Sequence, residues 1–267
     1  MRGPVALYVQ QFRTSLAAML QYRASLVIWL IGHVVEPLVY LVVWSAVSHA
    51  HGGGVGGYET ADFAAYFIAL MLVNHVTYTW IMFEYEYRVR HGSLSFALLR
   101  PVHPIHADIA DNVSSKVITL PLILAAAGLL ALVFRPALHT YPWAVAAFAP
   151  SLLLAFLLRF LMEWILALAA FWTTRVGAIN QTYFVLALFL SGQMAPLTLL
   201  PRPVQILATA LPFRWTTSFP VELLLGRRAW WEALAGLGIQ AAWVALFLFL
   251  LRLAWRAGVR VYSAVGA

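Results

Sequence analysis

Six long apolar runs decide what this chain can fold into. A helix needs about 20 mostly apolar residues to cross a hydrocarbon layer roughly 30 Å thick. The runs cover residues 24–47, 63–83, 117–134, 144–171, 183–200 and 233–255. They are continuously apolar, which favours helices over the alternating strands of a membrane barrel. With a mean hydropathy of +0.83, the sequence predicts an all-α membrane protein: six transmembrane helices in a single domain, residues 1–267.

The residues before the first run predict an additional helix over 5–23. Its apolar side chains recur at helical spacing, at Val5, Tyr8, Val9, Phe12, Leu16, Met19 and Leu20. Gln10, Gln11 and Arg13 lie largely opposite. This pattern indicates an amphipathic helix in the membrane interface rather than a cleaved signal peptide. A plain soluble helix that caps the domain is the alternative.

The basic residues predict the orientation. With six spans, both ends of the chain lie on one side of the membrane. Eleven basic residues fall on that side: Arg2, Arg13, Arg23, Arg88, Arg90, Arg100, Lys116, Arg175, Arg252, Arg256 and Arg260. Five fall on the other: Arg135, Arg202, Arg214, Arg227 and Arg228. The positive-inside rule therefore predicts that both termini are cytoplasmic. Basic residues at membrane boundaries suit anionic lipid headgroups and not nucleic acid.

The connection between the second and third runs, residues 84–116, is charged and amphipathic. Gly92 is expected to end the second span, and Ser93 to cap a short helix that Arg100 and Pro101 terminate. The apolar side of this helix consists of Leu94, Phe96, Leu98 and Leu99. So short a helix is not stable alone in water, so we expect it to pack against something.

This segment resembles the coupling-helix region of ABC-2-type ABC transporter permeases, in particular a six-span bacterial group with a G-x-L-x-x-x-L-x-R-P-V stretch. The resemblance implies a contact with a separate ATPase subunit. The residues it assigns to that contact are Glu84, Gly92, Leu94, Phe96, Leu98, Arg100 and Pro101. Glycine and proline positions towards the other end of the chain also resemble the family's pattern. There they mark the end of the fifth span and the short re-entrant helices on the exterior side. In this chain they are Gly192, Pro196, Pro201, Pro212 and Pro220.

The prolines also predict how the segment that is expected to be exterior, residues 201–229, is built. Prolines at 196, 201, 203, 212 and 220 break any continuous helix before the last span, and the apolar pieces 204–211 and 221–225 are too short to cross a bilayer. Short helices that dip into the outer leaflet are predicted, with Arg214, Arg227 and Arg228 meeting phosphates or carboxylates such as Glu222. An irregular surface loop is the alternative.

Two pairs of ionisable residues lie inside the predicted spans, where such groups are costly and usually face a cavity or a partner. His33 and Glu36 share one helical face in the first span. Structural pairing, a role in the transport path and metal ligation all remain open, although two ligands make a poor metal site. Arg159 and Glu163 form an i,i+4 pair in the fourth span; this pair neutralises itself, holds another helix, or contacts a substrate directly.

Polar residues in two further spans are candidates for a transport path. In the resembled family the second and fifth spans line the passage between two permease protomers. By that resemblance the candidates are Asn74, His75 and Tyr78 in the second span, with Asn180, Gln181 and Gln193 in the fifth. Hydrogen bonding between helices is an equally common use of such residues.

The function expected from the sequence is the membrane subunit of an ATP-driven exporter. The sequence contains no G-x-x-x-x-G-K-[ST] motif, and its sole lysine, Lys116, lacks the glycines that cradle phosphates. ATP and Mg are therefore expected on a partner ATPase, with no cofactor and no metal bound by this chain. The resemblance also implies a second permease chain, the same or homologous, and the bacterial inner membrane as location. It does not identify a substrate: the largely apolar spans suggest an amphiphilic or hydrophobic cargo, with a polysaccharide or peptide as alternatives. The basic residues at the membrane boundaries add membrane lipids as partners.

Two other functions are weighed against this one. A proton- or ion-coupled carrier could use the buried His and Glu residues, but such carriers usually show repeated halves and discontinuous helices, and neither is visible in the sequence. An intramembrane enzyme needs a nucleophile–base or metal constellation. The chain has no Cys and no convincing Ser/His/Asp arrangement.

Overall fold

The computed structural model describes residues 4–21, 23–173 and 176–262. Arg2 and Arg175, which count towards the predicted orientation, lie outside the described residues. The α-helices and strands run in the order α1 Pro4–Gln21, α2 Arg23–Ala50, β1 Gly54–Val55, β2 Tyr58–Glu59, α3 Thr60–Thr77, α4 Ile81–Arg90, α5 Leu94–Leu98, α6 Pro104–Phe134, α7 Pro142–Ala167, α8 Gly177–Leu190, α9 Arg202–Ala210, α10 Phe213–Thr216, α11 Ser218–Leu224 and α12 Trp230–Val261.

Five stretches of helix in the described part of the chain are long and apolar enough to span a membrane: Ile31–Ala50, Thr60–Arg90, Pro104–Phe134, Pro142–Phe171 and Trp230–Val261. They coincide with five of the six predicted runs, and the protein is a multi-pass, all-α membrane protein. The third begins at Pro104, well before the predicted start at residue 117, because Pro104 occupies the first turn of α6 and His103 caps it.

The predicted fifth span is not confirmed as a single membrane-crossing helix. Helix α8 has 14 residues, which corresponds to roughly 21 Å at 1.5 Å per residue. It ends where Ser191 leads into Gly192, whose φ of +85° is a left-handed conformation. The chain continues through bends and a 3-10 turn at Leu197–Leu199 to α9.

Helix α7 is the centre of the fold. It contacts α3, α4, α10, α11 and α12, and its side chains Leu158, Phe160 and Trp164 are fully buried. By contrast, α6 exposes Leu129 and Leu132, as expected of a helix that faces lipid. Helix α7 is therefore largely surrounded by other helices, whereas α6 leaves part of its apolar surface exposed.

Helix α1 packs against α6 through its polar side. Ser15 Oγ donates to Asp111 Oδ1 at 2.7 Å, and Gln11 Nε2 donates to the same oxygen at 3.4 Å. Val9 remains 47% exposed. The helix predicted over 5–23 therefore exists as Pro4–Gln21, with residue 22 outside the described ranges, and its interfacial location stays a prediction.

Residues 201–229, the segment that is predicted to be exterior, form three short helices, α9 to α11. The prediction that no continuous helix runs through this segment is confirmed. Pro203 and Pro220 lie in the first turns of α9 and α11, where a missing N–H costs nothing.

Three of the four basic residues of this segment are paired with carboxylates. Arg228 Nε donates to Glu222 Oε2 at 2.7 Å and Arg214 Nη2 donates to the same oxygen at 3.0 Å. Arg227 forms an ion pair with Asp62 at 3.0 Å. The carboxylate alternative for these three arginines is therefore the one that the structure shows.

Candidate transport cleft and cytosolic-type surface

The second apolar run is broken into two helices, which the sequence did not predict. Helix α3 ends at Thr77 and α4 begins at Ile81, with Tyr78, Thr79 and Trp80 outside both. No proline or glycine marks the break. A broken helix inside a membrane exposes backbone groups that need partners. Lys116 Nζ from α6 supplies one by donating to the Tyr78 carbonyl at 2.7 Å.

The break is also held by a buried ionic cluster on α7. Arg159 Nε donates to Glu163 Oε1 at 3.0 Å, and the two side chains are 4% and 0% exposed. Glu163 also accepts hydrogen bonds from the Thr79 hydroxyl and, at 3.2 Å, from the Tyr183 hydroxyl. Because every charge here has a partner, the cluster ties α7 to the break and to α8 without leaving a bare ion in the bilayer.

Arg159 has further partners towards α3. Its Nη1 lies 3.4 Å from Asn74 Oδ1 and 3.4 Å from Thr77 Oγ1, and its guanidinium lies 5.3 Å from the centre of the Tyr78 ring. Gln193 Nε2 reaches the same Asn74 oxygen at 3.5 Å. Arg159 and Glu163, the i,i+4 pair predicted in the fourth span, thus neutralise each other and also bind side chains of α3 and α8.

A cleft of about 540 Å³ lies beside this cluster. It brings together six residues that the sequence analysis had singled out: His33, Glu36, Asn74, Tyr78, Arg159 and Gln193. The remaining wall is largely aromatic, with Trp80, Phe83 and Phe184. Such a volume and a mostly apolar lining with a few polar groups are typical of small-molecule sites.

The other three predicted path residues lie elsewhere. His75 is buried against α6, with its Nε2 3.3 Å from the Lys116 carbonyl oxygen and 3.3 Å from Thr119 Oγ1. Asn180 is 1% exposed and Gln181 is exposed, and neither lines the cleft. Among the described residues no three potential ligands are grouped so as to hold a metal ion.

The segment after α4 presents a second candidate surface. Helix α5 follows Gly92, whose φ of +69° turns the chain in the left-handed region. Ser93 stands at the N-cap position but makes no capping hydrogen bond; its hydroxyl instead donates to the Arg88 carbonyl at 3.4 Å. A single short turn of helix is therefore set by the glycine and by packing.

The apolar side chains of this segment divide into two groups. Leu94 is fully buried in the protein and Leu98 is partly buried. Phe96 is 72% exposed, Leu99 is 83% exposed and Val102 is 41% exposed. We call Phe96, Leu99 and Val102 the exposed apolar face.

A polar pocket of about 340 Å³ adjoins the exposed apolar face, which contributes Phe96 and Val102 to its lining, with Glu84 and Arg100. Arg88 bridges its walls: Nη1 donates to Asp108 Oδ1 at 2.6 Å, and Nη2 pairs with Glu84. Burial lowers the pKa of His103 at the pocket edge, with a contribution from the nearby His106. The neutral His103 ring accepts from the Ile105 N–H at 3.3 Å and so caps α6.

Residues 34–266 match the model of a family described as ABC-2 family transporter protein. The chain belongs to the ABC-2 transporter family. The match covers the cleft apart from Gly32 and His33, together with the break in the second span and the exposed apolar face. No curated protein and no solved structure gives a significant match.

Membership assigns the chain to a class of membrane proteins that work with an ABC ATPase subunit, which agrees with the resemblance first seen around Gly92–Pro101. ABC-2 proteins are membrane subunits and generally not catalytic themselves.

Proposed function

We propose that this ABC-2 protein is the transmembrane subunit of an exporter in the bacterial inner membrane, with cytoplasmic termini, driven by a separate ATPase. ATP and Mg bind on that partner. A second permease chain, identical or homologous, completes the transport path. The observation that carries the proposal is the exposed apolar face, which lies next to charged residues at the end of the broken span.

The geometry supports binding of the ATPase subunit to the exposed apolar face. Phe96 and Leu99 offer apolar area that a soluble partner can bury, while Arg100 and Glu84 supply a polar rim. Leu94 anchors the other side of the short helix in the core, with Gly92 and Pro101 at its two ends. A push on α5 would be transmitted through α4 to the break at Tyr78–Trp80, because α4 connects the two directly.

The broken span also favours a second candidate, an ion-coupled carrier, since discontinuous helices with ionisable side chains are typical of such proteins. Transport driven by a pH gradient in vesicles without ATPase would support it. Family membership weighs towards the exporter.

The proposed contact with the ATPase is tested by variants that should uncouple ATP hydrolysis from transport. Phe96→Asp and Leu99→Asp place charges on the exposed apolar face without altering the core. We expect ATP hydrolysis by the reconstituted complex to lose its dependence on transport, or the ATPase to dissociate. Leu138→Asp is the matched control, because Leu138 is 64% exposed and lies beyond the opposite end of α6. Normal coupling in both face variants would refute this use of α5.

A further inference from the structure

We propose that the cleft beside Arg159 binds a monovalent, lipophilic, aromatic cation. This inference names the cargo class of the exporter proposed above and rests on that proposal. It comes from the charges and the aromatic surfaces that line the cleft.

The arginine in the cleft wall is not available to an anionic ligand. Arg159 is 4% exposed, and its guanidinium is engaged by Glu163, Asn74 and Thr77. Its charge is balanced by Glu163 behind it. A carboxylate or phosphate entering the cleft would have to displace these partners.

The carboxylate in the cleft wall, Glu36, is by contrast available to a ligand. Glu36 is exposed, and none of the ion pairs found in residues 4–21, 23–173 and 176–262 includes it. With the Arg159–Glu163 pair neutral as a unit and His33 counted as neutral, Glu36 gives the cleft a formal net charge of −1. A cation is therefore the favoured ligand.

The aromatic wall favours a cation that carries apolar, aromatic groups. Trp80 and Phe83 stack with ring centres 4.4 Å apart, and Phe83 stacks on Phe184 at 5.8 Å. Trp80 is still 57% exposed, although indole is the best ring for binding a cation over its face. Tyr78 is already occupied by Arg159, so the open ring is Trp80.

The test uses two ions of the same shape and opposite charge, tetraphenylphosphonium and tetraphenylborate. Equilibrium dialysis measures their binding to the purified full chain in detergent, with protein-free micelles subtracted. We expect saturable binding of the phosphonium and only partitioning of the borate. Equal saturable binding of both ions, or of neither, would overturn the inference, and this comparison needs no variant.

Variants then locate the site. Glu36→Gln should weaken phosphonium binding about tenfold, as expected for loss of a nearby opposite charge. Trp80→Leu should weaken it roughly threefold to tenfold through loss of the cation–π contact, and Trp80→Phe should retain most of the affinity. Matched controls outside the cleft are Glu86→Gln, whose carboxylate pairs with Arg90, and Trp230→Leu, whose indole is 58% exposed; both should bind normally.

Unchanged affinity in folded Glu36→Gln and Trp80→Leu proteins would overturn the assignment of this cleft. Because the dialysis contains no ATPase, a failure to bind the cation counts against the cargo class alone. A failure to recover an ATPase partner would count against the exporter itself.

Discussion

At the scale of single residues, the polar groups inside the membrane are used in connected pairs. Arg159 and Glu163 satisfy each other and then reach Asn74, Thr77, Thr79 and Tyr183 on neighbouring elements. Breaking such a buried pair on one side leaves an uncompensated charge, which costs about 3–5 kcal/mol, whereas removing both partners costs less.

We therefore predict that Glu163→Leu lowers the thermal unfolding midpoint in detergent more than the double variant Arg159→Met/Glu163→Leu does. The reason is that the single variant strands the Arg159 guanidinium at 4% exposure. Differential scanning fluorimetry on purified protein measures both. Additive losses in the double variant would show that the two side chains act independently.

Sequence spacing predicted this pair but not its wider partners. The i,i+4 relation places Arg159 and Glu163 on one helical face, and that follows from sequence alone. Thr79 and Tyr183 are 84 and 20 residues away from Glu163, and no local pattern connects them. The prediction that Glu36 is buried was wrong: the residue is exposed and lines an open cleft, which no local pattern in the first span reveals.

At the scale of elements, the break between α3 and α4 is the feature with the largest consequence. Run 63–83 looks continuous because Tyr78, Thr79 and Trp80 carry neither of the usual breaking signals, glycine or proline. The interruption is fixed by tertiary contacts, among them the hydrogen bond from Lys116 Nζ to the Tyr78 carbonyl. Such contacts cannot be predicted from the run itself.

The variant Lys116→Met keeps the length of the side chain and removes this donor. We expect faster amide hydrogen exchange in peptides covering residues 74–84, because the Tyr78 carbonyl loses its partner, a change worth about 1–3 kcal/mol for a buried group. Arg252→Met, at an exposed position on α12, is the control. Exchange that rises equally in both variants, or in neither, would contradict this role for Lys116.

The exposed apolar face shows that the sequence does not predict which side chains of a very short helix are buried. The prediction grouped Leu94, Phe96, Leu98 and Leu99 on one side of a helix. Helix α5 has only 5 residues, too few for an apolar period to separate its faces, and the structure buries Leu94 while exposing Phe96 and Leu99. The predicted turn at Gly92 is confirmed, because φ at that residue is positive.

At the scale of the whole molecule, apolar run length predicted five of the spans, and the family followed from the order of motifs around Gly92–Pro101 and Gly192–Pro220. The fifth run, residues 183–200, is not confirmed as a span because its apolar composition continues past the end of α8 into residues 191–195, where the backbone bends. Length and hydropathy report burial in lipid or protein, and they do not distinguish a span from a short helix followed by irregular chain.

The proposed orientation predicts opposite labelling at the two ends of α6. The chain contains no cysteine, so Leu99→Cys and Leu138→Cys each introduce a unique thiol. A membrane-impermeant maleimide should label Leu138→Cys in intact spheroplasts and Leu99→Cys only after permeabilisation. The reverse pattern would place α5 outside the cell and remove it from any cytoplasmic ATPase.

The most direct test of the account is recovery of the partner. The tagged protein is purified in a gentle detergent from its native membrane, and bound proteins are quantified by mass spectrometry. We predict a stoichiometric P-loop ATPase with the wild type and with Leu138→Asp, and its loss with Leu99→Asp. A clean preparation without an ATPase, reproduced after crosslinking, would contradict the proposed exporter.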